Sequence, residues 1–353
     1  RRMSFLGIEK ENILSMQPNP KYFKEVGLSI DLKDLQPATE EEKEGFIQRP
    51  ESMGYWADAM RRFKENKVAM ISLCFLFIVV LFAFIGPFFV QGDYSTQFRG
   101  MENLSPSIRF PFGTDKLGRD LMVRAMYGTR VSIIVGVFAS LIVLVIGTVY
   151  GSISGYLGGN VDNVMMRFLD LIYSVPDVLV VILLGIVIKT PLKDWVNSSQ
   201  SEFARNLQIL GPGLISIFIA FGLLYWVGMA RIIRGQVLTL KQNEYITAVV
   251  ALGGSKKRII RKHLYPNCIG QIIVMTAMQI PSAIFLESFL SFLGIGVEAP
   301  MTSLGAMASD ALGGIYSYPY RLIIPSILLS LIILSLNLIG DGLRDALDPR
   351  LKK

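Results

Sequence analysis

Six apolar stretches constrain this chain more than any other feature. They lie at about 68–90, 131–157, 164–188, 213–233, 270–293 and 322–340. Each is close to the ~20 residues an α-helix needs to cross a ~30 Å hydrocarbon layer. That layer holds no water to satisfy backbone N–H and C=O groups, so a spanning segment must satisfy them internally, as a helix does. Of 353 residues, 52% are hydrophobic and 18% charged, with a mean hydropathy of +0.47, a composition that excludes a disordered chain. Cys74 and Cys268 are too few for a disulfide scaffold and sit in or beside apolar runs, where a thiol behaves as a small hydrophobe. The expected fold is all-α, a polytopic membrane protein with six transmembrane helices.

Residues 1–67 differ in kind. They carry twelve basic and twelve acidic residues, four prolines and the run Glu40-Glu41-Glu42, and read as an extended cytosolic head. No apolar segment of the signal-peptide type precedes residue 68. Near 54–66, Trp56, Ala59, Met60 and Phe63 recur at helical spacing among Arg61, Arg62 and Lys64, the pattern of an amphipathic helix at a membrane surface. The spans then occupy 68–343, and 344–353 forms a cytosolic tail. Gly86-Pro87 ends the first span, while Pro176 and Pro281 fall inside the third and fifth, where neighbouring helices are expected to tolerate them.

Charge orients the bundle. The segment 230–267 holds eight basic residues against Glu244 alone, and with six spans it shares one side with the basic end of the head and the tail. That side is cytoplasmic, so both termini are expected there and 91–130 is expected outside. The net +7 of the chain is therefore assigned to cytoplasmic loops and not to nucleic acid. The six basic residues of 91–130 run against this orientation, but reversing it would export the more basic segment.

No catalytic chemistry is apparent. Gly113-Thr-Asp-Lys-Leu-Gly118 comes nearest to a phosphate loop, but Arg119-Asp120 stands where Lys-Ser/Thr is needed, so no ATPase site is expected. The one histidine, His263, excludes a His-built metal site within the chain. Charges inside the spans are Arg167, Asp170, Asp177 and Glu287, and each invites a functional reading because an intramembrane charge is costly. Arg167 and Asp170 share a helix face and are expected to pair. Asp177 and Glu287 are candidate pathway residues, with a structural hydrogen bond to a neighbouring helix as the alternative for Glu287. Gly147, Gly151 and Gly155 form a stripe expected to serve helix packing.

The segment between spans four and five is the most informative. Glu244, Ala248, Ala251 and Leu252 suggest a short helix, Gly253-Gly254 breaks it, and Ser255 suits the cap of a second, basic helix running to Pro266. Two short helices joined by glycine at 242–263 look like a docking element for a partner. Here the chain resembles the membrane subunits of ABC importers, whose loop motif has alanine, glycine and proline at the spacing of Ala248, Gly253 and Pro266. Thr247, Val249, His263 and Tyr265 depart from the simple consensus. Phe112-Gly-Thr-Asp-Lys-Leu-Gly-Arg-Asp120 and Asn337-Leu-Ile-Gly-Asp-Gly-Leu-Arg-Asp-Ala-Leu-Asp-Pro-Arg350 are similar to the peptide/nickel permease branch, and the long polar head to its C-type oligopeptide subunits.

The resemblance implies the type I ABC importer permease fold and a mechanism. A second homologous permease would complete the pathway for a peptide. Two cytosolic ABC ATPases would bind ATP and Mg, this chain holding no cofactor of its own, and an extracytoplasmic binding protein would deliver substrate. Glu244, Ala248, Ala251, Gly253 and Pro266 would form the ATPase-coupling element, in a bacterial cytoplasmic membrane. The alternatives are a dipeptide or nickel importer subunit, a secondary transporter, or a membrane scaffold.

Overall fold

In the computed structural model, residues 54–199, 201 and 211–347 are described, and those from Tyr55 onward belong to a single unit. The expected head before residue 54 and the tail beyond Leu347 lie outside the described residues. The elements are α1 (Tyr55–Glu65), α2 (Lys67–Phe84), α3 (Leu121–Leu157), α4 (Gly159–Tyr173) and α5 (Asp177–Ser198). They continue as α6 (Pro212–Lys241), α7 (Glu244–Ala251), α8 (Lys256–Phe292), α9 (Leu304–Ala311) and α10 (Tyr320–Leu347). Apart from short 3₁₀ turns and one isolated β-bridge between Thr114 and Asp120, regular structure among the described residues is α-helix, with π-helical stretches inside α6 and α8.

Five of these helices, α2, α3, α6, α8 and α10, are long and apolar enough to cross a membrane. The expected third span is instead two helices, α4 and α5, bent by 77° at Ser174-Val175-Pro176. Proline has no N–H to donate and pushes the preceding residue out of the helical region, so the helix ends at Tyr173. Pro281 has the same chemistry but stays inside α8, which is packed between α3 and α10. Neighbours lie on both sides of that helix; α5, which packs chiefly on the first turns of α6, nonetheless keeps Pro191 in its interior.

Three boundaries differ from the expected ones. α3 begins ten residues before the expected start at 131, because Asp120 caps it by accepting from the Met122 N–H at 2.8 Å. Polar residues such as Arg124 lower the hydropathy there but leave the helix intact. The basic helix does not stop at Pro266; it passes through a π-helical stretch, Ile260–Leu264, into the fifth span. Asn267 Nδ2 donates to the His263 carbonyl at 2.6 Å, satisfying an acceptor beside the irregularity. α10 runs on to Leu347, past the expected limit at 343.

α3 is the central helix, packed on α6, α8 and α2. Its glycine stripe does serve packing within the chain. A Cβ on Gly147 would lie 2.6 Å from the Met229 side chain, one on Gly155 2.8 Å from the Arg234 carbonyl, and one on Gly151 would overlap the Ala230 carbonyl. In lipid, burial of apolar surface gives no driving force, so close backbone approach and interhelical hydrogen bonds must hold helices together. α2 shows the opposite character: Ile71, Phe77 and Ile78 point away from the chain, while Ala69, Val79 and Ala83 pack inward. In α1, Ala59 and Phe63 are buried against α8 and α10, while Trp56 and Met60 are exposed.

Candidate functional site

α7 and the turn after it stand at the end of the bundle where α3 and α10 finish. Ile246 is buried and Val249 half-buried against the main apolar core, to which Ile259 and Leu264 of α8 also belong. The remaining face is open: Ala248 and Ala251 are exposed, together with Tyr245 at 41%, Val250 at 54% and Leu252 at 87%. Glu244 occupies the first turn of α7 and is exposed, its negative charge matching the positive end of the helix dipole. An exposed surface of small and apolar residues on a helix this short has the form of a docking face.

The turn is a Schellman motif. The Gly254 N–H donates to the Val249 carbonyl and the Gly253 N–H to the Val250 carbonyl, both at 2.9 Å. Gly253 has φ +77°, where a side chain is strained, yet an added Cβ would meet nothing within 4 Å in this chain. Ser255 then caps α8, accepting from the Arg258 N–H at 3.4 Å. Pro266 lies on the exposed side of α8, one helical stretch beyond. The structure thus brings Glu244, Ala248, Ala251 and Gly253 together, with Pro266 in the adjoining helix.

The two intramembrane candidates behave differently. Asp177 is exposed at the start of α5, borders a cleft of about 510 Å³ and accepts a hydrogen bond from the Tyr225 hydroxyl at 3.1 Å. Glu287 is fully buried, at 0% exposure, and does not line that cleft. Its carboxylate accepts from Ser291 at 2.7 Å, from Ser132 of α3 at 2.8 Å and from Ser288 at 3.3 Å. A group enclosed by its own chain touches no substrate unless the helices part, so the geometry favours the alternative of an interhelical hydrogen bond. The expected Arg167–Asp170 pair is replaced: Asp170 takes Arg231 of α6 at 2.7 Å. A helix face offers Arg167 by spacing alone, while tertiary packing brings a guanidinium from α6 into direct reach.

Comparison with known proteins decides the family. Residues 147–353, more than half of the chain, match the family of binding-protein-dependent transport system inner membrane components. The chain belongs to this permease family. Residues 54–106 also match the N-terminal transmembrane domain of oligopeptide transport permease C. The oligopeptide transport permease OppC of Bacillus subtilis is 44% identical over 302 residues, covering 86% of this chain and 92% of its own. The dipeptide permease DppC of the same organism is 45% identical over 308 residues, covering 87% and 89%. OppC of Escherichia coli K12 is 40% identical over 320 residues, covering 90% and 99%. Among solved structures, a chain of the inward-facing MetNI methionine ABC transporter aligns with TM-score 0.45 and 16% identity over 65% of this chain and 96% of its own.

The permease also contains a charged cluster that sequence reasoning missed. At the opposite end from α7, Asp115 accepts from Arg119 at 2.7 Å and from Arg124 at 2.6 Å, and Arg124 reaches Asp310 of α9 at 3.0 Å. Gly113 and Gly118 flank Asp115 at positive φ, and a Cβ on Gly113 would come 2.5 Å from the Leu104 carbonyl. Arg321 joins Asn103 at 2.9 Å to the Asp310 carbonyl at 3.2 Å. Burial pushes the Asp115 carboxyl up, but the Arg119 N–H, the Arg124 and Arg119 charges and the Leu117 N–H outweigh it and hold it below the usual carboxylate range. The Gly-Thr-Asp-Lys-Leu-Gly-Arg-Asp motif is therefore a clamp for the 91–120 segment. Its glycines and alternating charges were the available signal.

Proposed function

We propose that this permease is one of two membrane subunits of an ATP-driven peptide importer in a bacterial cytoplasmic membrane. Residues 91–130 face outward, and 234–267 and both termini face the cytoplasm. A homologous second permease completes the pathway, an extracytoplasmic binding protein delivers the peptide, and two cytosolic ATPases bind ATP and Mg. The observation that carries this reading is α7: a short helix with a small, apolar, exposed face, ended by a glycine turn whose added Cβ would meet nothing in this chain. Such a face is suited to a cleft on an ATPase, and Glu244, Ala248, Ala251, Gly253 and Pro266 form its coupling surface. Movement of the ATPases then reaches the spans through the continuous helix α8. Asp177 borders the pathway, and Glu287 holds neighbouring segments in place beside it. The oligopeptide and dipeptide relatives match almost equally, so the proposal is peptide import without a stated length.

The test is co-expression with a second permease and two ATPases, followed by reconstitution in vesicles with a peptide-loaded binding protein. Co-purification and ATP-dependent peptide uptake are expected. A chain that purifies without ATPases and transports without ATP would refute the reading in favour of a secondary transporter. Orientation is read from single cysteines and an impermeant thiol reagent in intact cells. Strong labelling at 241–262 would overturn it.

A further inference from the structure

We infer that Asp177, oriented by Tyr225, is a subsite for the α-ammonium group of a peptide in transit; this rests on the importer reading above. Three observations converge on it. The first is depth. Tyr225 sits inside α6 (Pro212–Lys241), ~20 Å from its Pro212 end at about 1.5 Å per residue and before the segment 234–267 proposed to face the cytoplasm. The carboxylate it holds therefore lies within the spanning part of the bundle, where an ionised group needs a partner.

The second is the missing counter-charge. Among the described residues, Asp177 has the Tyr225 hydroxyl as its partner at 3.1 Å and no cation within ion-pair distance. The cation beside the cleft, Arg231, which lies 4.6 Å from the ring centroid of the cleft residue Tyr173, is paired with Asp170 at 2.7 Å. The third is shape. The 77° break at Ser174-Val175-Pro176 turns α5 away from α4 and opens the cleft of about 510 Å³ between the break and α6. That volume is within the range of small-ligand sites.

Tyr225 is a positioning residue. It closes the π-helical stretch Phe221–Tyr225, which advances its hydroxyl to one carboxylate oxygen and leaves the other free. The rest of the cleft is largely apolar, with Ile172, Val175, Leu224 and Val227. One carboxylate in such surroundings selects a single positive charge and tolerates varied side chains. A peptide carries that charge at its amino terminus at neutral pH. Because the cleft is open, the contact is transient, as passage requires.

The test uses the complete reconstituted complex, with tri-alanine and N-acetyl-tri-alanine as probes. Asp177→Asn is expected to reduce ATP-driven tri-alanine uptake at least ~10-fold, with assembly intact, whereas Asp177→Glu recovers part of it. A second readout avoids the binding protein. In a Cys74→Ser background, which removes an exposed thiol, a cysteine introduced by Val175→Cys lines the cleft. Tri-alanine should slow its modification by a maleimide, N-acetyl-tri-alanine should not, and Asp177→Asn should abolish the difference. Equal protection by both peptides, or unchanged tri-alanine uptake in Asp177→Asn, would overturn the proposal. So would loss of the second permease on purification of Asp177→Asn, since Asp177 would then pair with a cation of that subunit. If the wild-type complex shows no ATP-driven uptake but retains the selective protection, the importer reading fails and the subsite stands.

Discussion

The two ends of this permease use charge in opposite ways. At the α9 end, Arg119, Arg124 and Arg321 are buried and engaged by Asp115, Asn103 and Asp310. At the α7 end, Lys256, Lys257, Arg258, Arg261 and Lys262 are exposed beside an apolar helix that is anchored by few residues. The first end closes the chain upon itself, because a buried guanidinium tolerates no loss of its carboxylate. The second leaves its surface for something else to meet. Stability and coupling should therefore separate along the length of the molecule.

The largest effect should follow from Asp115→Ala, which leaves Arg119 and Arg124 buried without their main carboxylate. A loss of about 3–5 kcal/mol is expected, read as failure to recover monodisperse complex or a large drop in Tm in detergent. The pH dependence has a definite sign. Asp115 has a lowered folded pKa, so its contribution is complete above the unfolded carboxylate value of ~3.9 and is lost as pH falls through the depressed folded value. No Asp115-dependent change in Tm is expected between pH 6 and 8.

Glu287→Gln extends the comparison at the same end. All three serine hydroxyls lose a charged acceptor, and the amide NH2 faces at least one of them as a second donor. At a cost of about 1–3 kcal/mol, Tm should fall while the residual folded complex keeps its coupling. A fall in uptake per folded complex, with Tm unchanged, would return Glu287 to the pathway.

At the α7 end, Gly253→Asp should do the reverse. The strained φ costs about 1–2 kcal/mol locally, but α7 lies outside the packed spans, so insertion and Tm should hold. ATP-driven uptake should fall at least ~10-fold, or ~1.4 kcal/mol, with binding-protein stimulation of ATPase activity lost in parallel. Full uptake by an intact complex would make 242–266 an ordinary basic loop and erase the contrast between the ends.

The smallest effect is expected for Arg231→Ala. Its pair with Asp170 has side chains 39% and 69% exposed, and exposed pairs contribute about 0–1 kcal/mol. A Tm change beyond a few degrees would show that the α4 surface is buried in the assembled complex.

Much of α7 and its glycine turn was legible in the sequence because its determinants are local. A short helix, a Gly-Gly stop and the Ser255 cap depend on residues within a few positions of one another, and the Schellman hydrogen bonds follow from them. The clamp was less legible. Arg124 and Asp310 are distant in sequence, and the hydropathy reading leaves Arg124 outside the second span, in 91–130, when it lies in the first turn of α3.

By itself, the sequence determined the number of apolar stretches, the all-helical class, the glycine stripe and the α7 turn, since each follows from helix periodicity, hydropathy or backbone restrictions within a short window. Only the tertiary structure decided which prolines break a helix. Pro176, Pro191 and Pro281 impose the same steric restriction, but only Pro176 falls at a break; Pro191 stays inside α5 and Pro281 inside α8. The tertiary structure likewise gave Asp170 to Arg231, enclosed Glu287 and left Asp177 at an open cleft. Partner choice for a charge depends on which distant helix comes within a few ångströms, and no local pattern encodes that distance.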